Sequence, residues 1–195
     1  MNNSNNLKKY LIDDGYLFNQ ENNGNVMMLS GVWGAGKTHF WKNNIEPKLE
    51  KLSEQKKAYV YISLYGKENI ESIKNEILLK AYESVKKENT IFKRTASVFN
   101  TTIKYLPSLS LFGAKIELDS INSFFVSKKA NEAKEYLLDG GLICVDDFER
   151  KSENILLNDL FGLFTQLSQD MKCKIVLILN SDVFEGKEAV IFRNV

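Results

Sequence analysis

Eight consecutive residues, Gly31-Val32-Trp33-Gly34-Ala35-Gly36-Lys37-Thr38, fill the pattern G-x-x-x-x-G-K-[ST]. The residue types explain what chemistry such a stretch can do. Glycines let the backbone curl until successive N–H groups point inward at an anion, in a concavity that a Cβ would obstruct. Lysine after the last glycine brings a flexible point charge to the outer phosphate oxygens. The threonine hydroxyl that follows is a hard oxygen ligand suited to Mg²⁺. The pattern therefore implies a nucleotide-binding chain, in which Gly31, Trp33, Gly34, Ala35, Gly36, Lys37 and Thr38 hold a nucleoside triphosphate and Thr38 also meets the metal. For Trp33 two placements are open, over the core or facing the ligand, and core packing is preferred. The competing reading of the whole stretch is a glycine-rich strand-to-helix turn without a ligand.

A second constellation lies at Leu142 to Arg150, L-I-C-V-D-D-F-E-R, four apolar residues and then paired acids. This is a Walker B pattern: a buried strand would carry Asp146 to the loop, where its carboxylate binds Mg²⁺ directly or through water opposite Thr38. Asp147 points elsewhere and is assigned to polarising the attacking water, with Glu149 as the competing carboxylate because its side chain reaches further. Negative charge at a helix N-terminus is the alternative for the acidic pair. Further on, Asn180 follows the run Ile175 to Leu179, where a polar side chain can face the γ-phosphate and orient water. Asn180-Ser181-Asp182 can also simply cap the next helix. Arg150 and Arg193 are candidates for the positive charge that a phosphoryl-transfer transition state needs. His39, the sole histidine, is read as a surface residue and not a catalyst.

These residues need strands that end at one edge of a sheet. Val26-Met27-Met28-Leu29 is read as a buried strand feeding the loop, launched by Glu21-Asn22-Asn23-Gly24 after a short helix and turn in Leu7 to Phe18. Past the loop, Phe40, Trp41, Ile45, Leu49 and Leu52 have helical spacing, with Pro47 expected to break or kink the helix near Glu46. Ala58 to Leu64 is a second strand. Ile70, Ile73, Ile77, Ala81, Tyr82 and Val85 follow a 3.6 period over almost four turns. Residues 90 to 128 are expected to be an insertion between strand two and the Walker B strand, with a helix from Phe92 to Leu106 before Pro107 and a hairpin about Phe112-Gly113. A short helix from Ala130 to Leu138 then precedes Leu142-Ile143-Cys144-Val145. A helix of Leu156, Leu160, Leu163, Phe164 and Leu167 precedes the last strand. Buried strands alternating with helices imply an α/β fold, a three-layer parallel sheet with its ligand at the carboxyl ends of the strands.

Composition narrows the partners. The 195 residues, 44% hydrophobic, suit one domain spanning 1–195 with a sizeable core. The 26 Lys and Arg nearly cancel the 25 Asp and Glu, so charge gives no signal for nucleic acid or an anionic membrane surface. Cys144 and Cys173 stand apart from any CxxC or Cys/His cluster, which argues against zinc and disulfides and fits a reducing cytoplasm. No targeting segment and no apolar run of about 18 residues is read, so a cytoplasmic chain without a transmembrane segment is expected. The lysines at 128, 129 and 134 are read as a solvated face.

Taken together, G-V-W-G-A-G-K-T, the strand end D-D-F-E-R and the strand end I-L-N-S-D resemble the KAP group of P-loop NTPases, near the STAND and AAA+ lineages. The three motifs run in the family's order over positions 31 to 182. Glu149 stands where the family usually has Asp. The resemblance implies ATP as the nucleotide, slow regulated hydrolysis, an added strand between the loop strand and the Walker B strand, and roles in signalling or defence against phage. It also implies a protein partner or self-association, with 90 to 128 as a docking element. Family members continue past the sensor strand into a fifth core strand, so the chain is expected to be either a minimal version or a fragment of a longer regulator. The leading expectation is an ATP-hydrolysing switch. Its rivals are a nucleotide-binding interaction module without turnover and a small-molecule kinase, the latter disfavoured because Arg94, Arg150 and Arg193 are the chain's only arginines.

Overall fold

Alternation along the strands sets the architecture, because successive side chains of a strand face opposite layers. A computed structural model describes residues 3–86 and 121–180, with side chains from 4 to 86 and from 128 to 180. Four strands, β1 (Val26–Ser30), β2 (Tyr59–Ser63), β3 (Leu142–Asp146) and β4 (Lys174–Leu179), form one parallel sheet in the order β1-β4-β3-β2. The expected extra strand is β4, lying between the loop strand and the Walker B strand.

On one face, Leu142 and Cys144 of β3 and Val176 and Ile178 of β4 pack against Trp41 and Ile45 from the stretch after the loop. That stretch begins as α2 (Lys37–Phe40), widens into a π-helical turn at Trp41–Ile45 and tightens into a 3₁₀ turn at Glu46–Lys48 before α3 (Glu50–Glu54). The break falls at Pro47 as expected, since proline lacks the N–H and collides with the preceding turn. The chain enters the sheet through α1 (Asn3–Lys8) and a π-helical turn, Lys9–Asp13, which buries Leu11.

On the other face, Val60, Ile62, Ile143, Val145, Ile175 and Leu177 meet the helices α4 (Ile70–Val85), α5 (Ile121–Leu137) and α6 (Leu157–Thr165). Helix α4 keeps its expected bounds, opened by Asn69, whose side chain accepts the Ser72 N–H at 2.9 Å. It also covers the outer edge of β2: Lys80 Nζ donates to the Tyr61 carbonyl at 2.7 Å and Ser84 Oγ accepts the Tyr59 N–H at 3.3 Å. Unpaired edge groups are thereby satisfied.

Three expectations need correction. β1 is not a buried strand: Val26 and Met28 are 44% and 40% exposed, while Met27 and Leu29 pack inward. Among the described residues it lies at the sheet edge, and the helical cover of that face reaches β4 and stops. Helix α5 begins at Ile121 and not at Ala130, so its start overlaps the segment read as insertion; no Pro or Gly interrupts 121–130, and Ala130, Ala133 and Leu137 bury at helical spacing. Leu156 precedes α6 as its N-cap and is exposed, leaving Leu157 and Leu160 to fill the core. The helix expected at Phe92–Leu106, the hairpin expected about Phe112-Gly113, Ser181-Asp182 and Arg193 lie outside the described residues. Lys128 is exposed, whereas Lys129 and Lys134 are half-buried. Both cysteines are buried free thiols, and burial pushes Cys173 up to about 12. Among the described residues no helix is long and apolar enough to cross a membrane.

Candidate functional site

The loop follows β1 directly, and its glycines are used unequally. Gly34 and Gly36 take φ of +79° and +80°, a left-handed conformation that costs an L side chain roughly 1–2 kcal/mol. Gly31 has no such constraint; a Cβ there would meet Lys37 Cδ at an ordinary 3.7 Å. Lys37 folds back over its own loop, Nζ donating to the Gly31 and Val32 carbonyls at 2.7 and 3.1 Å. Two of its three protons are used there.

Asp146 ends β3 on the face that looks toward this loop, and is only 3% exposed. Its Oδ2 accepts from Thr38 Oγ1 at 2.8 Å, joining positions 108 residues apart, and from the Tyr61 hydroxyl at 2.5 Å. Its Oδ1 accepts the Asp147 N–H at 2.8 Å. Burial, and then the bond to Asp146, raise the Tyr61 pKa, so this phenol remains a donor.

The next step of the chain separates the two acids. Asp147 adopts φ 54°, ψ 37°, and Phe148 drops into the opposite layer beside Phe161 and Phe164 at ring-centroid distances of 5.9 and 6.2 Å. Aspartate tolerates this left-handed turn better than most residues. Asp147 Oδ2 accepts from Ser63 Oγ at 2.7 Å, and its Oδ1 lies 3.4 Å from Arg150 Nη1. Glu149 Oε2 accepts the backbone N–H of Asn180 at 3.2 Å, tying the turn after β3 to the end of β4.

A cavity of about 290 Å³ brings Trp33, Gly34, Gly36, Lys37 and Thr38 of the loop together with Asp146, Asp147 and Glu149. Gly31, Ala35, Arg150 and Asn180 are outside its lining. Trp33 does not pack on the core as preferred: it is 66% exposed and lines the cavity, while Trp41 is the tryptophan buried on that face. Arg150 stacks on the Tyr65 ring at 3.9 Å and is 5.9 Å from the Trp33 ring, a cation between two exposed aromatics. His39 is exposed, as expected, and it also lines the cavity beside Thr38.

Two side chains in this site escaped the sequence reading, Tyr61 and Ser63. Part of the signal was present, since polar positions 59, 61 and 63 alternate within an otherwise apolar strand; the register that pairs Ser63 with Asp146 is seen only in the sheet. The donor set also fits Mg²⁺. Thr38 and Asp146 offer adjacent hard oxygens, and among the described residues no group of three His, Cys, Asp or Glu could hold a metal unaided. Magnesium is usually held by one or two carboxylates together with substrate phosphates and water.

A strand, a glycine loop and a helix, with a carboxylate brought to the loop from a strand two places across a parallel sheet, define a P-loop NTPase core. The chain belongs to the KAP family of P-loop domains, whose model matches residues 2–188. No curated protein matches the chain. It is therefore a nucleotide-binding NTPase-type domain.

Proposed function

We propose that the domain binds Mg·ATP and hydrolyses it slowly, as a regulatory switch of the kind used in signalling or defence against phage, with a protein partner or a second copy receiving its conformational output. The observation that carries this reading is the contact of Thr38 with Asp146 at the floor of a cavity that Lys37 also lines. Three carboxylates there would repel a polyphosphate unless a cation lay between them. A bound Mg²⁺ supplies that charge and neutralises the phosphate oxygens.

The residues have separable tasks. The backbone N–H groups of the loop and Lys37 bind phosphate oxygens; Thr38 and Asp146 hold the metal side. Asp147 polarises the attacking water, Asn180 orients it, and Arg150 supplies positive charge once released from Tyr65, with Glu149 as the alternative carboxylate. The cavity's size, near the lower end of the usual range of roughly 300–1,000 Å³, suits the phosphate end of a nucleotide better than the whole molecule.

A nucleotide-binding module without appreciable turnover is the second reading. It is favoured by Asp147, whose two oxygens are already engaged by Ser63 and Arg150. Nucleotide titration with Lys37→Ala tests the part both readings share. Losing a charged partner of phosphate, typically worth roughly 1.5–3 kcal/mol, should weaken affinity at least about tenfold. Equal affinity in the two proteins would refute the site. Single-turnover phosphate release then separates the readings, since a binding module releases none above the Lys37→Ala background.

A further inference from the structure

We propose that Tyr61 is a positioning residue for the metal-side carboxylate: its hydroxyl, donating to Asp146 Oδ2, fixes the orientation in which that carboxylate meets the cation of a cation–nucleotide complex. This rests on the reading of Thr38 and Asp146 as the metal side of a nucleotide site.

A carboxylate offers about four lone-pair positions. Three of those of Asp146 are taken, by the Asp147 N–H, the Thr38 hydroxyl and the Tyr61 hydroxyl. The geometry thus leaves one direction for a metal or a metal-bound water. Of the three donors, the Asp147 N–H is fixed by the turn, and Thr38 must share its oxygen with the cation. Tyr61 is the donor that comes from another strand and keeps no other task there.

Its ring is held as well. Tyr61 lies at the centre of β2, paired in register with Cys144 of β3, and its carbonyl is pinned by Lys80. Lys42 Nζ stands 3.3 Å from the ring centroid and pairs with Glu46 at 3.0 Å. Lys42 follows Thr38 by four positions on the same helical stretch, so one piece of chain carries both the metal-side hydroxyl and the clamp on the ring. The phenol and the loop are therefore positioned as a unit.

Calorimetric titration of ATP over Mg²⁺ levels from EDTA to saturation tests the proposal. Wild type should bind more tightly as Mg²⁺ rises. Tyr61→Phe should need about tenfold more Mg²⁺ for half of that gain, the loss expected for one charge-assisted hydrogen bond, with affinity in EDTA nearly unchanged. Tyr59→Phe is the structural control: it removes the neighbouring hydroxyl, which accepts from Trp41 Nε1 at 2.8 Å on the same face, and should leave the Mg²⁺ curve in place. If Tyr61→Phe follows the wild-type curve while Asp146→Asn does not, or if Tyr59→Phe shifts it equally, the positioning role is overturned. A wild-type curve indifferent to Mg²⁺ removes the metal reading itself, and this proposal with it. Should Tyr61→Phe melt too early in EDTA to be titrated, Lys42→Gln unclamps the ring without removing the hydroxyl. It should shift the curve in the same direction, and an unmoved curve there also overturns the role.

Discussion

Asp147 and Glu149 are two carboxylates on one short turn, and their partners distinguish them. Asp147 leans on Ser63 of β2, whereas Glu149 reaches the backbone of Asn180 at the end of β4. A water-polarising carboxylate contributes about 10²–10⁴-fold in rate, and the corresponding amide cannot accept the proton. Asp147→Asn should therefore lower single-turnover phosphate release by that order with ATP affinity nearly intact, while Glu149→Gln has a smaller effect. The reverse order would transfer the role to Glu149. At this scale the sequence carried much of the site, because Lys37, Thr38 and Asp146 belong to local patterns whose chemistry is read from spacing. Trp33 was misplaced because a pattern does not say which apolar positions the core has room for. Tyr61 and Ser63 were missed because their task depends on which strand pairs with β3, and strand order is not written in any single segment.

Among the elements, helices and strands with strong periodicity were legible and their ends less so. Helix α4 kept its predicted bounds because Asn69 caps it and Ile73, Ile77 and Ala81 repeat on one face. β1 misled because four apolar residues in a row read the same for an interior strand and for an edge strand with one bare face. The break at Pro47 was readable, being a matter of a missing N–H, but the π-helical turn before it was not. Helix α4 also offers a pH test. Glu76 is about one-fifth exposed and bonded to Lys67 and Lys80. Its burial raises the pKa, but the hydrogen bonds from the two lysines outweigh that and leave it below the ordinary 4.5. A depressed carboxylate stabilises the fold above its unfolded value and loses that contribution as pH falls through the folded value. Glu76→Gln should thus be less stable near pH 7 by about 1 kcal/mol, read as a drop of roughly 2–4 °C in Tm. The gap should narrow as pH falls below the ordinary glutamate value of 4.5 and close once it has passed through the lower folded one. A gap that persists unchanged in acid would mean that packing, and not charge, is what the glutamine disturbs.

For the whole molecule, the site joins parts of the chain that have no local reason to stay together. The loop comes from β1, Asp146 from β3, Ser63 and Tyr61 from β2, and Glu149 is tied to the end of β4. All four strands therefore contribute, Ser63 and Asp146 at carboxyl ends and Tyr61 from mid-strand, and a ligand that grips the loop and Asp146 binds the folded chain and not the unfolded one. Linkage then requires that the ligand stabilise the fold, by about 2.7 kcal/mol at 100 times its dissociation constant. For a domain of this size each kcal/mol moves Tm by roughly 2–4 °C, so saturating Mg·ATP should raise it by about 5–11 °C. Lys37→Ala tested at the same ligand concentration should show a much smaller rise. Asp146→Asn should lose the part of the rise that depends on Mg²⁺ while keeping what remains in EDTA, because its proposed partner is the metal and not the phosphate. A thermal scan in which nucleotide moves none of the three proteins would count against both the hydrolysing switch and the binding module. A rise equal in Asp146→Asn and wild type with Mg²⁺ present would instead leave nucleotide binding standing and take the carboxylate out of the site.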